Sequence, residues 1–74
     1  MVEIIMPMPG KLVAVKVEIG QKVEEDEDLV IIEAMKMEMP VVATKDGTIR
    51  EVICKVGEAY QMGDVLILLE CKIN

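Results

Sequence analysis

The sequence predicts an all-β domain, a flattened barrel or sandwich of two antiparallel sheets with an approximate internal twofold axis. Three observations lead to this prediction. The apolar segments are short and rich in β-branched residues, and none carries a sustained stripe with the 3.6-residue period of a helix. Glycine and proline residues typical of turns separate these segments. The second half of the chain repeats the pattern of the first.

The repeat becomes visible when the sequence is shifted by 37 positions, which carries Gly10 onto Gly47. The other identical pairs are Val15 and Val52, Gly20 and Gly57, Leu29 and Leu66, and Glu33 and Glu70. A solenoid needs at least three repeats to bury its faces, so two copies do not predict one. Two copies can instead close into a single body with approximate twofold symmetry, and Lys36 falls near their junction.

We predict roughly eight short strands, six of which have clear boundaries. They are Val2–Met6, Lys11–Ile19 and Leu29–Ile32 in the first half, and Met39–Ala43, Thr48–Val56 and Val65–Leu69 in the second. The last strand of each half is continuously apolar, which is typical of a strand buried on both faces. Each is bounded by turns and is too short for a stable helix.

The second strand of each half shows a shift in its alternation. Val15, Val17 and Ile19 alternate with charged residues, which predicts one buried face, but the apolar residues before them fall out of phase. The matching strand has the same irregularity. A shift at the same place in both copies predicts β-bulges at Val13-Ala14 and Arg50-Glu51.

The predicted turns carry two further expectations. Gly20 and Gly57 are expected at positive φ, and a valine at Gly47 would be costly if the backbone there also has a positive φ. The five consecutive acids Glu24–Asp28 are interpreted as a solvated loop. A docking patch for a basic partner surface is the alternative interpretation of this acidic run.

Composition limits the classes of function. The 74 residues form one predicted domain, residues 1–74, whose net charge of −6 argues against a nucleic-acid partner. No run approaches the length of a membrane span and no signal peptide is recognised, so we expect a cytoplasmic protein without membrane insertion. The sequence contains neither histidine nor serine. The usual catalytic triads therefore cannot be assembled, and we expect a protein that enzymes act upon, not an enzyme.

The two cysteines lie inside apolar segments. We interpret Cys54 and Cys71 as small buried hydrophobic residues, because a structural disulfide would be unusual in a reducing compartment. Without histidine and without a C-x-x-C spacing, no metal site is predicted.

The stretch Glu33–Met39 stands at the middle of the chain, with Lys36 between Met35 and Met37. Exposed apolar side chains beside a lysine indicate a surface that another protein contacts. The A-M-K-M sequence preceded by Glu33 resembles the modification signature of biotinyl domains, the carrier modules of biotin-dependent carboxylases and decarboxylases. The resemblance extends to most of the chain. Further matching positions are Pro7-Met8-Pro9-Gly10, Gly20, Leu29–Lys36, Gly47, Gly57 and Gly63-Asp64.

This resemblance implies that Lys36 forms an amide with the valeryl carboxyl group of biotin, on a tight hairpin between the two halves of a barrel-sandwich hybrid. It also implies the partners: biotin protein ligase, and biotin carboxylase with carboxyltransferase or decarboxylase subunits. The segment from Gly10 to Gly20 is too short for the protruding insertion of some carrier domains, so the chain resembles the thumbless type. The residues implied in recognition by the ligase and partners are Glu33, Ala34, Met35, Met37 and Glu38.

Two other interpretations remain open at this stage. A lipoyl domain shares the fold and the lysine-bearing hairpin, although its usual signature has Asp before and Ala after the lysine, where this chain has methionine at both positions. An unmodified structural module would need no lysine at the tip. In the second copy of the repeat, Ile73 stands at the position that matches Lys36.

Overall fold

A computed structural model describes residues 1–71 of the protein and contains eight strands in that range. They are β1 (Val2–Ile5), β2 (Gly10–Val15), β3 (Lys22–Val23), β4 (Asp28–Ala34), β5 (Met37–Val42), β6 (Gly47–Val52), β7 (Ala59–Tyr60) and β8 (Val65–Cys71). The all-β prediction is confirmed. The predicted correspondence of Ile73 with Lys36 lies outside the described residues.

The strands form two antiparallel sheets of four, with the orders β1-β8-β6-β3 and β5-β4-β2-β7. A shift of 37 residues matches each strand of the first sheet with one strand of the second sheet. The pairs are β1 with β5, β8 with β4, β6 with β2 and β3 with β7. The sequence repeat is therefore a structural repeat, as predicted.

Reciprocal backbone hydrogen bonds join the two halves. The Met6 N–H donates to the Asp64 carbonyl at 2.8 Å, and the matching Ala43 N–H donates to the Glu27 carbonyl at 3.0 Å. Each half thus satisfies backbone groups at the strand ends of the other half. Because these groups would otherwise be unpaired near the core, the halves depend on each other for stability.

The core between the sheets consists of apolar side chains, and within residues 1–71 no polar or charged side chain is buried. Its fully buried members include Ile4, Met6, Leu12, Leu29, Val30, Ile32, Ile49, Leu66, Ile67 and Leu69. Each such side chain stabilises the fold by about 1.5–3 kcal/mol. Leu29 and Val30 are both buried where the pairing with β5 is irregular, but beyond them β4 alternates, with Ile31 half-buried and Glu33 exposed. The predicted burial of β4 on both faces was therefore wrong, because only the face toward the core is fully buried.

Both predicted β-bulges are present. The pairing of β2 with β4 shifts between Leu12 and Ala14, which leaves Val13 as the extra residue. The pairing of β6 with β8 shifts at the matching position, where Arg50 is the extra residue. The bulges bend the inner strands and allow each sheet to curve around the core.

The predicted lengths of these two strands were wrong. β2 ends at Val15 and β6 at Val52, several residues before the predicted ends. Val17 is buried as expected, but Ile19 is 67% exposed. The reason is that the chain leaves its sheet and crosses to the other one, where the Gly20 N–H bonds to the Ile49 carbonyl at 2.7 Å. Gly20 and its counterpart Gly57 have φ of 91° and 94°, as predicted.

Gly47 does not have a positive φ, so a valine at this position would not be strained by the backbone conformation. A Cβ at Gly47 would instead collide with the carbonyl oxygen of Glu70 and lie 3.0 Å from its carbonyl carbon. Gly10, its counterpart, faces the carbonyl oxygen of Glu33 in the same way. Both glycines are therefore required by the close approach of neighbouring strands.

The two cysteines differ from each other. Cys54 is buried, as predicted, and burial raises the pKa of its thiol. Cys71 is only half-buried, so the prediction was wrong for this residue, which ends β8 at the margin of the sheet. Both are free thiols.

Tyr60 closes the turn that contains Gly57. Its hydroxyl accepts a hydrogen bond from the Lys55 N–H at 2.9 Å and donates one to the Glu58 carboxylate at 3.0 Å. Burial raises the pKa of Tyr60, and the hydrogen bond to Glu58 acts in the same direction.

We expect Tyr60→Phe to lower the free energy of unfolding by about 1 kcal/mol near neutral pH, because the Lys55 N–H loses its partner. A phenol whose pKa is higher in the folded protein than in the unfolded chain stabilises the fold fully at pH values below its pKa in the unfolded chain. That contribution disappears as the pH rises through the folded-state pKa. Denaturant unfolding should therefore show wild type approaching the variant above about pH 10. A constant difference across this range would contradict the assigned role.

Candidate functional site

The site is the hairpin that joins β4 to β5. The two strands pair as far as Ala34 and Met37, which leaves Met35 and Lys36 as a two-residue turn. Their φ values are 53° and 63°, so both lie in the left-handed region. Two left-handed residues define a type I′ turn, whose twist matches that of the flanking strands.

Met35 and Lys36 are unusual residues for this turn, which normally contains asparagine and glycine. The left-handed conformation costs roughly 1–2 kcal/mol for a residue with a Cβ. The long pairing of β4 with β5 holds the turn in place. The hairpin therefore presents the lysine in one fixed backbone conformation, at a cost that the flanking sheet offsets.

The side chains around Lys36 divide into exposed and supporting groups. Met35 is 84% exposed and Met37 is 65% exposed, and Lys36 between them is also exposed. Ala34 is only 3% exposed. A Cβ added to Gly10 would lie 3.1 Å from the Ala34 Cβ. The predicted contact role of Ala34 is therefore corrected: its small side chain lets β2 support the base of the hairpin, and it offers almost no surface to a partner.

The predicted recognition carboxylates lie at the base of the hairpin. Glu33 and Glu38 are both exposed and face each other across β4 and β5. Like charges opposite each other are destabilising, although water screens exposed pairs. On its other side Glu33 is paired with Lys11 of β2. The hairpin thus carries an apolar tip above a negatively charged base.

The acidic run Glu24–Asp28 is remote from this site. β4 begins at Asp28 and ends at Ala34, so the run and the hairpin lie at opposite ends of a strand about 20 Å long. The two features predicted from the sequence are therefore not brought together.

The Glu27 carboxylate and two backbone N–H groups of this run make hydrogen bonds that the sequence analysis missed. The Glu27 carboxylate accepts the Glu24 N–H at 3.1 Å, and Asp46 accepts the Glu25 N–H at 2.7 Å. Asp26 has a φ of 72° at the position that Gly63 occupies in the second copy. The repeat could have indicated the bond to Glu27, because Glu27 corresponds to Asp64. The Asp64 carboxylate accepts the Gln61 N–H in the same manner at 2.8 Å.

The chemistry available at the hairpin is that of an accessible primary amine. In residues 1–71 the acidic and cysteine side chains do not form a group of three or more that could hold a metal ion. The same part of the chain contains no helix long and apolar enough to cross a membrane. An enzyme that acylates Lys36 must supply the base that takes up the proton released by its amine.

A twofold β-sandwich with a lysine exposed on a tight turn between two methionines is the architecture that the resemblance to carrier domains implies. The family described as "Biotin-requiring enzyme" matches residues 2–69, and the chain belongs to this family. It is a non-catalytic biotin carrier domain, and its cofactor is biotin.

Relatives of two sizes match the chain. The biotin/lipoyl attachment protein of Bacillus subtilis is 42% identical over 62 residues, which cover 84% of this chain and 85% of that protein. The mitochondrial propionyl-CoA carboxylase alpha chain of Homo sapiens is 45% identical over 64 residues, which cover 86% of this chain and 9% of that one. The chain thus spans less than a tenth of this carboxylase relative.

A solved structure has the same fold. The urea carboxylase of Kluyveromyces lactis superposes with a TM-score of 0.87 at 31% sequence identity, covering 92% of this chain and 6% of that one. The predicted architecture, two antiparallel sheets in a biotinyl-type fold, is therefore confirmed by both the strand order and this neighbour.

We expect Met35→Asn to raise the free energy of unfolding by up to about 1 kcal/mol, because asparagine tolerates the left-handed conformation better than methionine. Met35 is 84% exposed, so little buried contact is lost. Thermal unfolding measures the effect. The matched control is Met62→Asn, at a residue 71% exposed whose φ is not positive and which should gain nothing. Equal changes in both variants would contradict strain at the turn.

Proposed function

We propose that Lys36 is the attachment residue, linked to biotin by an amide that a biotin protein ligase forms. The observation that carries this proposal is the left-handed turn, which places Lys36 at the tip of the hairpin between two exposed methionines. Among the seven lysines of the sequence, this is the one that stands in the family's A-M-K-M signature.

The attachment step uses the amine of Lys36 as nucleophile. The Nζ atom attacks the acyl carbon of biotinyl-adenylate, so that a C–N bond forms, the bond to the phosphate oxygen breaks and AMP leaves. The proton lost from Nζ passes to a base on the ligase. Met35, Met37, Glu33 and Glu38 supply the recognition surface, because their side chains are exposed around the tip.

The residues present fit a tethered biotin. Lys36 is exposed, and its backbone is held by paired strands, so a flexible arm would move on a rigid base. When bound, biotin accepts a carboxyl group at its ureido nitrogen in one active site and gives it up in another. Tethering raises the local concentration of the arm at each site. The domain's contribution is to present the arm and to be recognised.

The partners follow from this role. We propose that the domain works with a biotin carboxylase and with a carboxyltransferase or decarboxylase, as a domain or a subunit of such an assembly. The matching chains include a propionyl-CoA carboxylase, a pyruvate carboxylase and a urea carboxylase, so the acceptor differs among relatives of one carrier fold. The proposal includes a cytoplasmic location, which the two free thiols suit.

The experiment is a carboxylation assay with the biotinylated protein as the acceptor for a separate biotin carboxylase subunit, ATP and bicarbonate. We expect carrier-dependent ADP formation at carrier concentrations far below those of free biotin that give the same rate. The unmodified protein is the control and should be inactive. A biotinylated, folded protein that is no better than free biotin would contradict the carrier role.

A further inference from the structure

The seven methionines of the chain are not equally accessible. Met35 and Met37, on either side of Lys36, are 84% and 65% exposed. Met6 is fully buried, and Met39 packs against the core from β5. The thioethers beside Lys36 are therefore open to reagents that cannot reach Met6 in the core.

We propose that Met35 and Met37 form a reversible oxidation switch, in which peroxide converts their thioethers to sulfoxides and the oxidised hairpin is no longer accepted by the enzyme that modifies Lys36. This inference rests on the proposed function of Lys36. Its chemistry requires a peroxide as oxidant and a methionine sulfoxide reductase for reversal.

The oxidation step is balanced as follows. A lone pair of the sulfur attacks one oxygen of hydrogen peroxide, so that an S–O bond forms and the O–O bond breaks. The second oxygen leaves as hydroxide and takes the proton of the hydroxyl now bound to sulfur, which gives the sulfoxide and water. Sulfur loses two electrons and peroxide gains them. In reversal, two thiols of the reductase are oxidised to a disulfide, and the sulfoxide oxygen leaves as water.

The position of these residues determines the consequence. A sulfoxide replaces an apolar, flexible group with a polar one, which disrupts contacts built on methionine. A partner surface that packs on Met35 or Met37 would have to bury an oxygen without a hydrogen-bond partner, which corresponds to a factor of about 10 or more in binding. The fold should remain intact, because both side chains are exposed and the core methionine Met6 is inaccessible.

The test begins with unbiotinylated protein treated with hydrogen peroxide and then with dithiothreitol, which reduces any disulfide or sulfenic acid at Cys54 and Cys71 but leaves methionine sulfoxides in place. Peptide masses should show oxygen on Met35 and Met37 but not on Met6. The initial rate of biotin attachment by a biotin protein ligase is then measured before and after oxidation. It is measured again after treatment with two methionine sulfoxide reductases, one for each epimer of the sulfoxide. The unfolding midpoint is followed in parallel.

We expect the rate to fall about tenfold or more on oxidation, with recovery after reduction and a preserved cooperative unfolding transition. The double variant Met35→Leu/Met37→Leu keeps apolar side chains that cannot be oxidised, and the ratio of its rates before and after peroxide should be close to one. Met62→Leu is the matched control, since Met62 is 71% exposed on another loop, and it should remain as sensitive as wild type.

Several outcomes would overturn the switch. Two results would show that these two thioethers do not control acceptance by the ligase. One is an equal rate before and after oxidation of wild type, and the other is a rate that falls on oxidation of the double variant. Protection by Met62→Leu would assign the effect to another surface. Absence of biotin even on the reduced protein would instead contradict the proposed function of Lys36, and the inference with it.

Discussion

Lys36→Arg is expected to abolish biotin attachment and to leave the fold unchanged. The guanidinium of arginine keeps the charge and the length of the side chain but is not a nucleophile for an activated acyl group. Lys36 is exposed and its strain resides in the backbone, so the free energy of unfolding should change by no more than about 0.5 kcal/mol.

The measurement pairs an avidin blot after treatment with ligase with denaturant unfolding of the same samples. Lys11→Arg serves as the matched control, because Lys11 is an exposed lysine at the base of the same hairpin, paired with Glu33. The control should be biotinylated like wild type. Biotin on the Lys36→Arg protein would show that another lysine is the acceptor, and would contradict the assignment of the site.

Gly47→Val is expected to have the largest effect on stability. Any Cβ at this position meets the backbone carbonyl of Glu70 on the paired strand β8, and a backbone atom cannot move aside as a flexible side chain would. Overpacking of this kind costs about 1–3 kcal/mol and occasionally more. In a domain of this size each kcal/mol lowers the melting temperature by roughly 4–8 °C.

Gly47→Ala and Gly63→Ala separate the two ways in which glycine can be required. Gly47 lacks space for a Cβ, whereas Gly63 has a φ of 94° and no neighbouring atom within 4 Å of an added Cβ. We expect the alanine at Gly63 to cost about 1 kcal/mol from backbone conformation alone, and the alanine at Gly47 to cost more. If the two variants have equal melting temperatures, close packing between β6 and β8 is not the reason for Gly47.

Much of the fold could be predicted because the two halves of the sequence share one pattern of strands and turns. The repeat identified which strands correspond, and the shared slip in alternation located both bulges at Val13 and Arg50. The continuous apolar runs predicted strands at Leu29–Ile32 and Val65–Leu69, and β4 and β8 lie there. What failed was the exit from β2, where the alternation continued through Ile19 although the chain had already left the sheet. The alternation of apolar and charged residues indicates which side chains are buried, but it does not indicate where a strand stops pairing with its neighbour.

The site was predictable in its location and not in its geometry. The lysine between two methionines was visible in the sequence, but nothing in Met35 or Lys36 favours a left-handed turn. The turn type is set by the register of β4 with β5, which leaves only these two residues to reverse the chain. The burial of Ala34 likewise depends on β2 lying beneath it, a long-range contact that the local sequence does not specify.

The long-range polar contacts could not be predicted either. The bond from the Glu25 N–H to the Asp46 carboxylate joins residues that are 21 positions apart and belong to different halves. Such bonds depend on where loops from separate strands converge. The acidic run therefore contains groups that organise a loop as well as solvated charges.

The most direct test of the central claim is to count and locate biotin on the wild-type protein after exhaustive treatment with a biotin protein ligase. The account predicts an intact mass with a single biotinyl increment, assigned by fragment masses to the peptide that contains Lys36. Among the lysines of residues 1–71, Lys36 alone stands on a left-handed turn between two exposed methionines. More than one increment, or an increment assigned to another lysine, would contradict it.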